Sequence, residues 1–187
     1  MYVFISNKVS FFNRQRMRII FHEFGYERWR KNTRTHSISS DNQKIEIDAE
    51  SAQKSHLLKG LIADFNSPQE PIQLPDIKYD ILKNVVDYLT YYKNKNPKDI
   101  PKPMPSANLS EVIDEWDVKF INSIELDNVF DLINAANYMD IPSLLDLSCA
   151  KIASLMKGKT AQEIRTMFNI ECDLTEEELK EYEEYQI

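Results

Sequence analysis

The chain has 187 residues, 42% of them hydrophobic and 28% charged, with a net charge of -7 and a mean hydropathy of -0.49. That suits one domain with an appendage, and no apolar run approaches the ~18 residues that a membrane span needs. Cys149 and Cys172 form no CxxC pair and share no zinc-ligand spacing with the three histidines, so a reducing compartment is expected and a zinc module of the RING type is excluded.

The charge is unevenly placed. Residues 1–35 carry eight Lys/Arg against two Asp/Glu, and residues 36–187 carry fifteen against twenty-eight. The acidic bulk disfavours nucleic acid as a partner of the globular part. Residues 1–35 also hold eight of the twenty aromatics, as in RQRMRIIFHEFGYERWRKNTR. An organelle-targeting leader, a nucleic-acid-binding arm, a membrane-surface helix and a plain extension outside the fold all fit this stretch. Glu23 and Glu27 count against a leader, and MYVFI is cut short by Ser6, Asn7 and Lys8, so no secretory signal is expected.

From Ser37 the texture changes. SISSDNQKIEID has the form of a hairpin, with a turn at Asp41-Asn42 and Ile45 and Ile47 alternating with Glu46. AESAQKSHLLKGLIADF reads as one helix whose stripe is Ala52, Leu57, Leu58, Leu61, Ile62 and Phe65, ended by Pro68 and Pro71. PIQLP predicts a short strand with Ile72 and Leu74 on one side. DIKYDILKNVVDYLTYY predicts an amphipathic helix on Ile81, Val85, Tyr88 and Tyr92. Residues 93–112 contain four prolines and no periodicity, and are expected to form a flexible or extended loop. EWDVKFI resumes a helix, with Trp116 and Phe120 one turn apart.

VFDLINAANYM continues as a helix with Val129, Ile133 and Ala136 on one face. Pro142 suits the first turn of the next helix, and Gly158 a left-handed stop. Thr160 with Glu163, and Thr175 with Glu178, are spaced as capping boxes. Three consecutive helices are therefore expected. On the helix from Pro142, Leu145, Cys149, Ile152 and Met156 form one apolar stripe, and Leu144, Leu147 and Leu155 a partial second. Two stripes suggest burial on two sides. Ile164, Met167 and Phe168 sit on a helix too short to be stable alone. An ordinary small core and a partner-binding surface both fit this pattern. The closing ECDLTEEELKEYEEYQI is strongly acidic, as a solvated helix face would be.

Catalytic patterns are weak. His22, His36 and His56 are scattered, three glycines (Gly25, Gly60, Gly158) make no phosphate loop, and Cys149 lies on an apolar stripe. No enzyme, no metal and no cofactor is expected.

In order and spacing, SSDNQKIEID, PIQLPDIKYDILKNVVDYLTYYK, EWDVKFI, AANYMDIPSLLD, KGKTAQEIR, FNI and LTEEE resemble the SKP family, the S-phase-kinase-associated adaptors that bridge cullin scaffolds and F-box proteins in SCF ubiquitin ligases. The likeness covers about residues 36–186. It implies an α+β BTB/POZ-like fold, a small mixed sheet with flanking helices followed by a C-terminal helical extension. The organisation expected from it is an extension at 1–35, a cullin-binding domain at 36–140 and an F-box-binding extension at 141–187. The resemblance implies cullin contacts at Asn137, Tyr138 and Met139. It implies F-box contacts at Leu145, Cys149, Ile152, Met156, Ile164, Phe168, Asn169, Ile170 and Leu174. The function implied is a non-catalytic adaptor, cytoplasmic and nuclear, with no membrane partner and with weak homodimerisation through the F-box surface when unpartnered. An elongin-C-like adaptor, which lacks the C-terminal extension, and a binder acting through residues 1–35 are the alternatives.

The chain departs from the family in three places. Ala161 replaces the usual Pro after KGKT, which excludes prolyl modification there and implies a small effect on stability. The family's Trp-Cys pair has no counterpart before Ile187, so either Tyr182, Tyr185 or Ile187 substitutes or F-box affinity is lower. Residues 1–35 have no family equivalent. Residues 93–112 are no departure, since they stand where the family carries a variable insert.

Overall fold

The computed structural model describes residues 34–64 and 71–172. Three strands, β1 (Arg34–Ile38), β2 (Lys44–Asp48) and β3 (Ile72–Gln73), form a sheet in the order β2-β1-β3. β1 pairs antiparallel with β2, Thr35 facing Ile47, and parallel with β3, Ser37 facing Ile72. The sheet begins inside the basic stretch: Arg34 is in β1 and Thr35 is buried. The domain thus starts earlier than residue 36, and the readings made for residues 1–33 lie outside the described residues.

The hairpin turn is set by its sequence. Asn42 takes φ +58°, a conformation asparagine tolerates, and Asn42 N–H donates to Ser39 C=O at 3.0 Å. The Asp41 carboxylate accepts from Ser39 Oγ (2.6 Å) and from the Tyr79 amide (3.0 Å). That second bond joins the turn to the start of the next long helix. The Ser39 hydroxyl, foremost, holds the Asp41 carboxyl below its ordinary pKa.

The predicted helix over 49–65 is two helices. α1 (Ala49–Ala52) is capped by Asp48, whose carboxylate accepts from the Ser51 amide (3.1 Å) and hydroxyl (2.6 Å). α2 (His56–Asp64) restarts after Gln53–Ser55. Ser55 is the physical reason for the break: its hydroxyl accepts from the Leu58 amide at 3.1 Å, an N-cap in the middle of the predicted helix. Phe65 and Pro68 lie outside the described residues.

α3 (Tyr79–Tyr91) buries Ile81, Leu82, Val85, Val86, Tyr88 and Leu89, and Tyr92 just beyond it is also buried, as its periodicity predicts. The Pro-rich connection is more ordered than expected. It contains a 3-10 turn at Leu109–Glu111, capped by Asn108, and buries Leu109, Val112 and Ile113. α4 (Glu115–Asn122), α5 (Leu126–Tyr138), α6 (Pro142–Met156) and α7 (Ala161–Met167) follow. The core joins Ile47, Leu58 and Leu74 to Leu82, Leu89, Ile121, Leu132, Met139 and Leu144, all at or below 1% exposure. One hydrophobic cluster therefore runs from the sheet through α3 and α5 to α6.

At the joint of α3 and α4 lies an aromatic stack. Trp116 sits between Tyr91 (3.5 Å, 3°) and Phe120 (5.1 Å, 7°). Beneath it the Tyr92 hydroxyl donates to the Asp117 carboxylate, its oxygen 2.8 and 2.7 Å from the two acceptor oxygens. Burial pushes the Asp117 carboxyl up, against the Tyr92 hydrogen bond that favours its charged form.

Candidate protein-docking surfaces

Two exposed regions contain the residues singled out by sequence. The first is the end of α5. Asn137 and Tyr138 are exposed, Tyr138 by 44%, while the next residue, Met139, is fully buried. Successive residues of a helix point about 100° apart, so one motif spans surface and core. The Met139 side chain is a core residue and cannot be a side-chain contact, which corrects the expectation for it.

α5 ends because Asp140 adopts φ +50°. The Ile141 amide folds back onto Ala136 C=O (2.9 Å) and the Asp140 amide bonds Asn137 C=O (3.1 Å), which completes a Schellman stop. Two carbonyls at this stop face the start of α2. Met139 C=O accepts from Ser55 Oγ (2.6 Å) and the Leu57 amide (3.4 Å), and Asp140 C=O accepts from the His56 amide (3.1 Å). The free N–H groups of one helix and free C=O groups near the end of another thus satisfy each other. Outside, His56 Nδ1 lies 3.0 Å from Asp140 Oδ2.

The second region is α6 with α7. The sequence explains its geometry. Pro142 opens α6, Gly158 at φ +78° stops it, and Thr160 with Glu163 forms the expected capping box on α7. Leu144, Leu147, Ser148 and Ala150 are buried against the body. Leu145 and Ile152 are half-buried, and Cys149 and Met156 are exposed, so the stripe at 145, 149, 152 and 156 faces outward beside the core face. Partial desolvation by its neighbours, and then the Asp146 carboxylate, push the Cys149 thiol up, which suits an apolar contact rather than a nucleophile.

α7 extends this surface. Ile164, Met167 and Phe168 are half-buried. Asn169 at φ +52° ends the helix, and the Ile170 amide bonds Arg165 C=O at 2.9 Å, again a Schellman stop. Ile170 emerges 54% exposed. Sequence reasoning missed Phe130 of α5, 40% exposed, whose ring meets Phe168 edge-on at 5.6 Å. Its signal was an aromatic residue off the Val129/Ile133/Ala136 face. Also missed was a flanking strap. Lys102 Nζ bonds Asp146 at 2.6 Å, and Lys157 Nζ donates to the carbonyls of Met104 (2.8 Å) and Pro105 (2.7 Å). These ties hold the Pro-rich segment along the neighbouring strip of α6, from Asp146 to Lys157. Leu174, and the second capping box at Thr175 and Glu178, lie outside the described residues.

Among the described residues, no cluster of three or more His, Cys, Asp or Glu could hold a metal ion, and no helix is long and apolar enough to cross a membrane. Chemically, the two regions offer shape and apolar area.

Residues 142–186 match the family model described as the Skp1 family dimerisation domain, and residues 37–94 match the Skp1 family tetramerisation domain. The chain is 47% identical to an S-phase kinase-associated protein 1 homolog of Tetrahymena thermophila, over 78% of this chain and 87% of that protein. It is 38% identical to the E3 ubiquitin ligase complex SCF subunit sconC of Talaromyces marneffei, and 39% identical to its namesake in Aspergillus flavus. Each of these two alignments covers 75% of this chain and 86% of the relative.

Proposed function

The chain belongs to the Skp1 family, and from that membership we propose that it is a non-catalytic adaptor of an SCF-type ubiquitin ligase, joining a cullin scaffold to F-box substrate receptors. The observation that carries the reading is the division of α6 into a buried core face and an open apolar stripe, continued by α7, Phe168 and Ile170. A helix whose packing was complete among the described residues would not leave such a stripe half-exposed beside a full core. An F-box is the proposed occupant, bound through Leu145, Cys149, Ile152, Met156, Ile164, Phe168, Asn169 and Ile170, with Phe130 added and Leu174 continuing the set.

The cullin is assigned to the exposed pair Asn137 and Tyr138. The side chain of Met139 supports that pair from within the core. The adaptor acts in cytoplasm and nucleus, and in the absence of an F-box protein the open stripe supports weak self-association. The test is a pull-down with Asn137→Lys/Tyr138→Lys. Cullin capture is lost and F-box capture kept if the assignment holds; equal loss of both means that the fold was broken, and undiminished cullin capture removes the pair from the interface.

A further inference from the structure

We propose that Ser55 is the positioning residue for the cullin-docking pair, the hydroxyl that locks the end of α5 to the start of α2 and so fixes where Asn137 and Tyr138 stand. The inference rests on the assignment of that pair to the cullin.

Ser55 is fully buried and far from the surface it controls in sequence, 84 residues before the carbonyl it bonds. Its hydroxyl works in two directions. It accepts from the Leu58 amide (3.1 Å), which starts α2, and donates to Met139 C=O (2.6 Å), which ends α5. A hydroxyl is among the small side-chain groups that donate and accept through one atom. Alanine at this position leaves the Leu58 amide without its partner and the Met139 carbonyl with only the longer 3.4 Å bond from the Leu57 amide.

The α5 terminus needs such a lock. Asp140 is a non-glycine residue at φ +50°, a conformation most residues avoid. It persists where surrounding contacts over-determine it. Those contacts come largely from one place: Ser55 Oγ and the His56 and Leu57 amides meet Met139 and Asp140. The His56 ring adds an outer brace on the Asp140 carboxylate at 3.0 Å. Asn137 and Tyr138 are the last residues before this junction, and the Asn137 carbonyl itself accepts from the Asp140 amide. Loosening the junction lets the final turn of α5 fray, which lowers the fraction of molecules presenting the docking geometry and hence the apparent affinity. The F-box stripe on α6 and α7 receives none of these bonds.

The experiment uses the full chain, a recombinant cullin N-terminal domain and an F-box domain, with affinities from calorimetry. Ser55→Ala is expected to weaken cullin binding about tenfold and to leave F-box binding within about twofold. Backbone amides of Asp140 and Ile141 exchange faster in that variant. Ser55→Thr, which keeps the hydroxyl, restores the amide protection and the cullin affinity. His56→Ala, a change at an exposed side chain, weakens cullin binding about threefold by removing the outer brace alone. Equal losses toward both partners for Ser55→Ala, or unchanged cullin affinity with faster amide exchange, would overturn the proposal. Asn137→Lys/Tyr138→Lys in the same assay separates the two claims. If it abolishes cullin binding while Ser55→Ala does not affect it, the docking pair stands and the role of Ser55 falls. If it leaves cullin binding intact, the pair itself is wrongly assigned and the role of Ser55 falls with it.

Discussion

Replacing Tyr92 with phenylalanine removes the hydroxyl that both oxygens of the Asp117 carboxylate accept, at 2.8 and 2.7 Å. Tyr92 is 3% exposed and Asp117 4%, so water does not readily take the hydroxyl's place. A hydrogen bond to a charged group contributes about 1.5–3 kcal/mol, and a carboxylate left desolvated adds to the loss, so the expected cost at neutral pH is about 3 kcal/mol. In a domain of this size that lowers the melting temperature by roughly 6–12 °C. Asp117→Asn costs less, about 1 kcal/mol, because the amide oxygen still accepts from Tyr92 and no charge is buried. The pH dependence has a definite sign. Burial raises the folded-state pKa of Asp117 above its ordinary 3.8, so the folded state holds the proton to higher pH than the unfolded chain. Stability associated with this group therefore falls as pH rises from 3.8 through the folded value. Without the Tyr92 bond the folded pKa rises further, so the Tyr92→Phe penalty is largest near neutrality and shrinks on acidification. Urea denaturation followed by tryptophan fluorescence at several pH values measures this. A loss under about 1 kcal/mol at pH 7, or one that does not change with pH, would refute the reasoning.

Three further outcomes are expected. Ile170→Asp, at an exposed position, changes stability by no more than about 0.5 kcal/mol but reduces F-box capture sharply, read by thermal melting alongside a pull-down. Gly158→Ala costs about 1 kcal/mol in chemical denaturation, because φ is +78°; an added Cβ meets nothing within 4 Å, so the whole effect is backbone strain. Burial pushes the Asp48 carboxyl up, but the Ser51 hydroxyl and amide and the Lys93 ammonium hold it below 3.8 overall. Its contribution is therefore present above that value and lost as pH falls through the lower folded pKa, and Asp48→Asn flattens the acid limb of an unfolding titration below pH 3.8.

What could be read from the sequence was local. The Pro142 start, the Gly158 stop and the Thr160/Glu163 box each act within one turn, and all three are present. The α3 stripe was equally plain, since Ile81, Val85, Tyr88 and Tyr92 all meet one core. The break at Gln53–Ser55 was missed because no Gly or Pro marks it, and serine shows its capping role only through the bond its hydroxyl makes to the Leu58 amide. The start of β1 was misplaced because Arg34 shares the basic character of the stretch before it, although the fold uses it as strand. Met139 was misjudged because a motif carries neighbours together regardless of which way each points. The ties of Lys102 to Asp146 and of Lys157 to Met104 and Pro105, and the ring contact of Phe130 with Phe168, join residues 38 to 53 positions apart. Local patterning holds no record of such contacts.

If the chain is an adaptor, it joins two partners that do not otherwise meet. Mixing it with a cullin N-terminal domain and an F-box protein, and weighing the products by size-exclusion chromatography with light scattering, tests that directly. A stable complex holding one copy of each is expected, and no cullin–F-box complex when the chain is left out. A chain that binds the two only in competition with each other, or a cullin–F-box complex that forms equally well without it, would contradict the account.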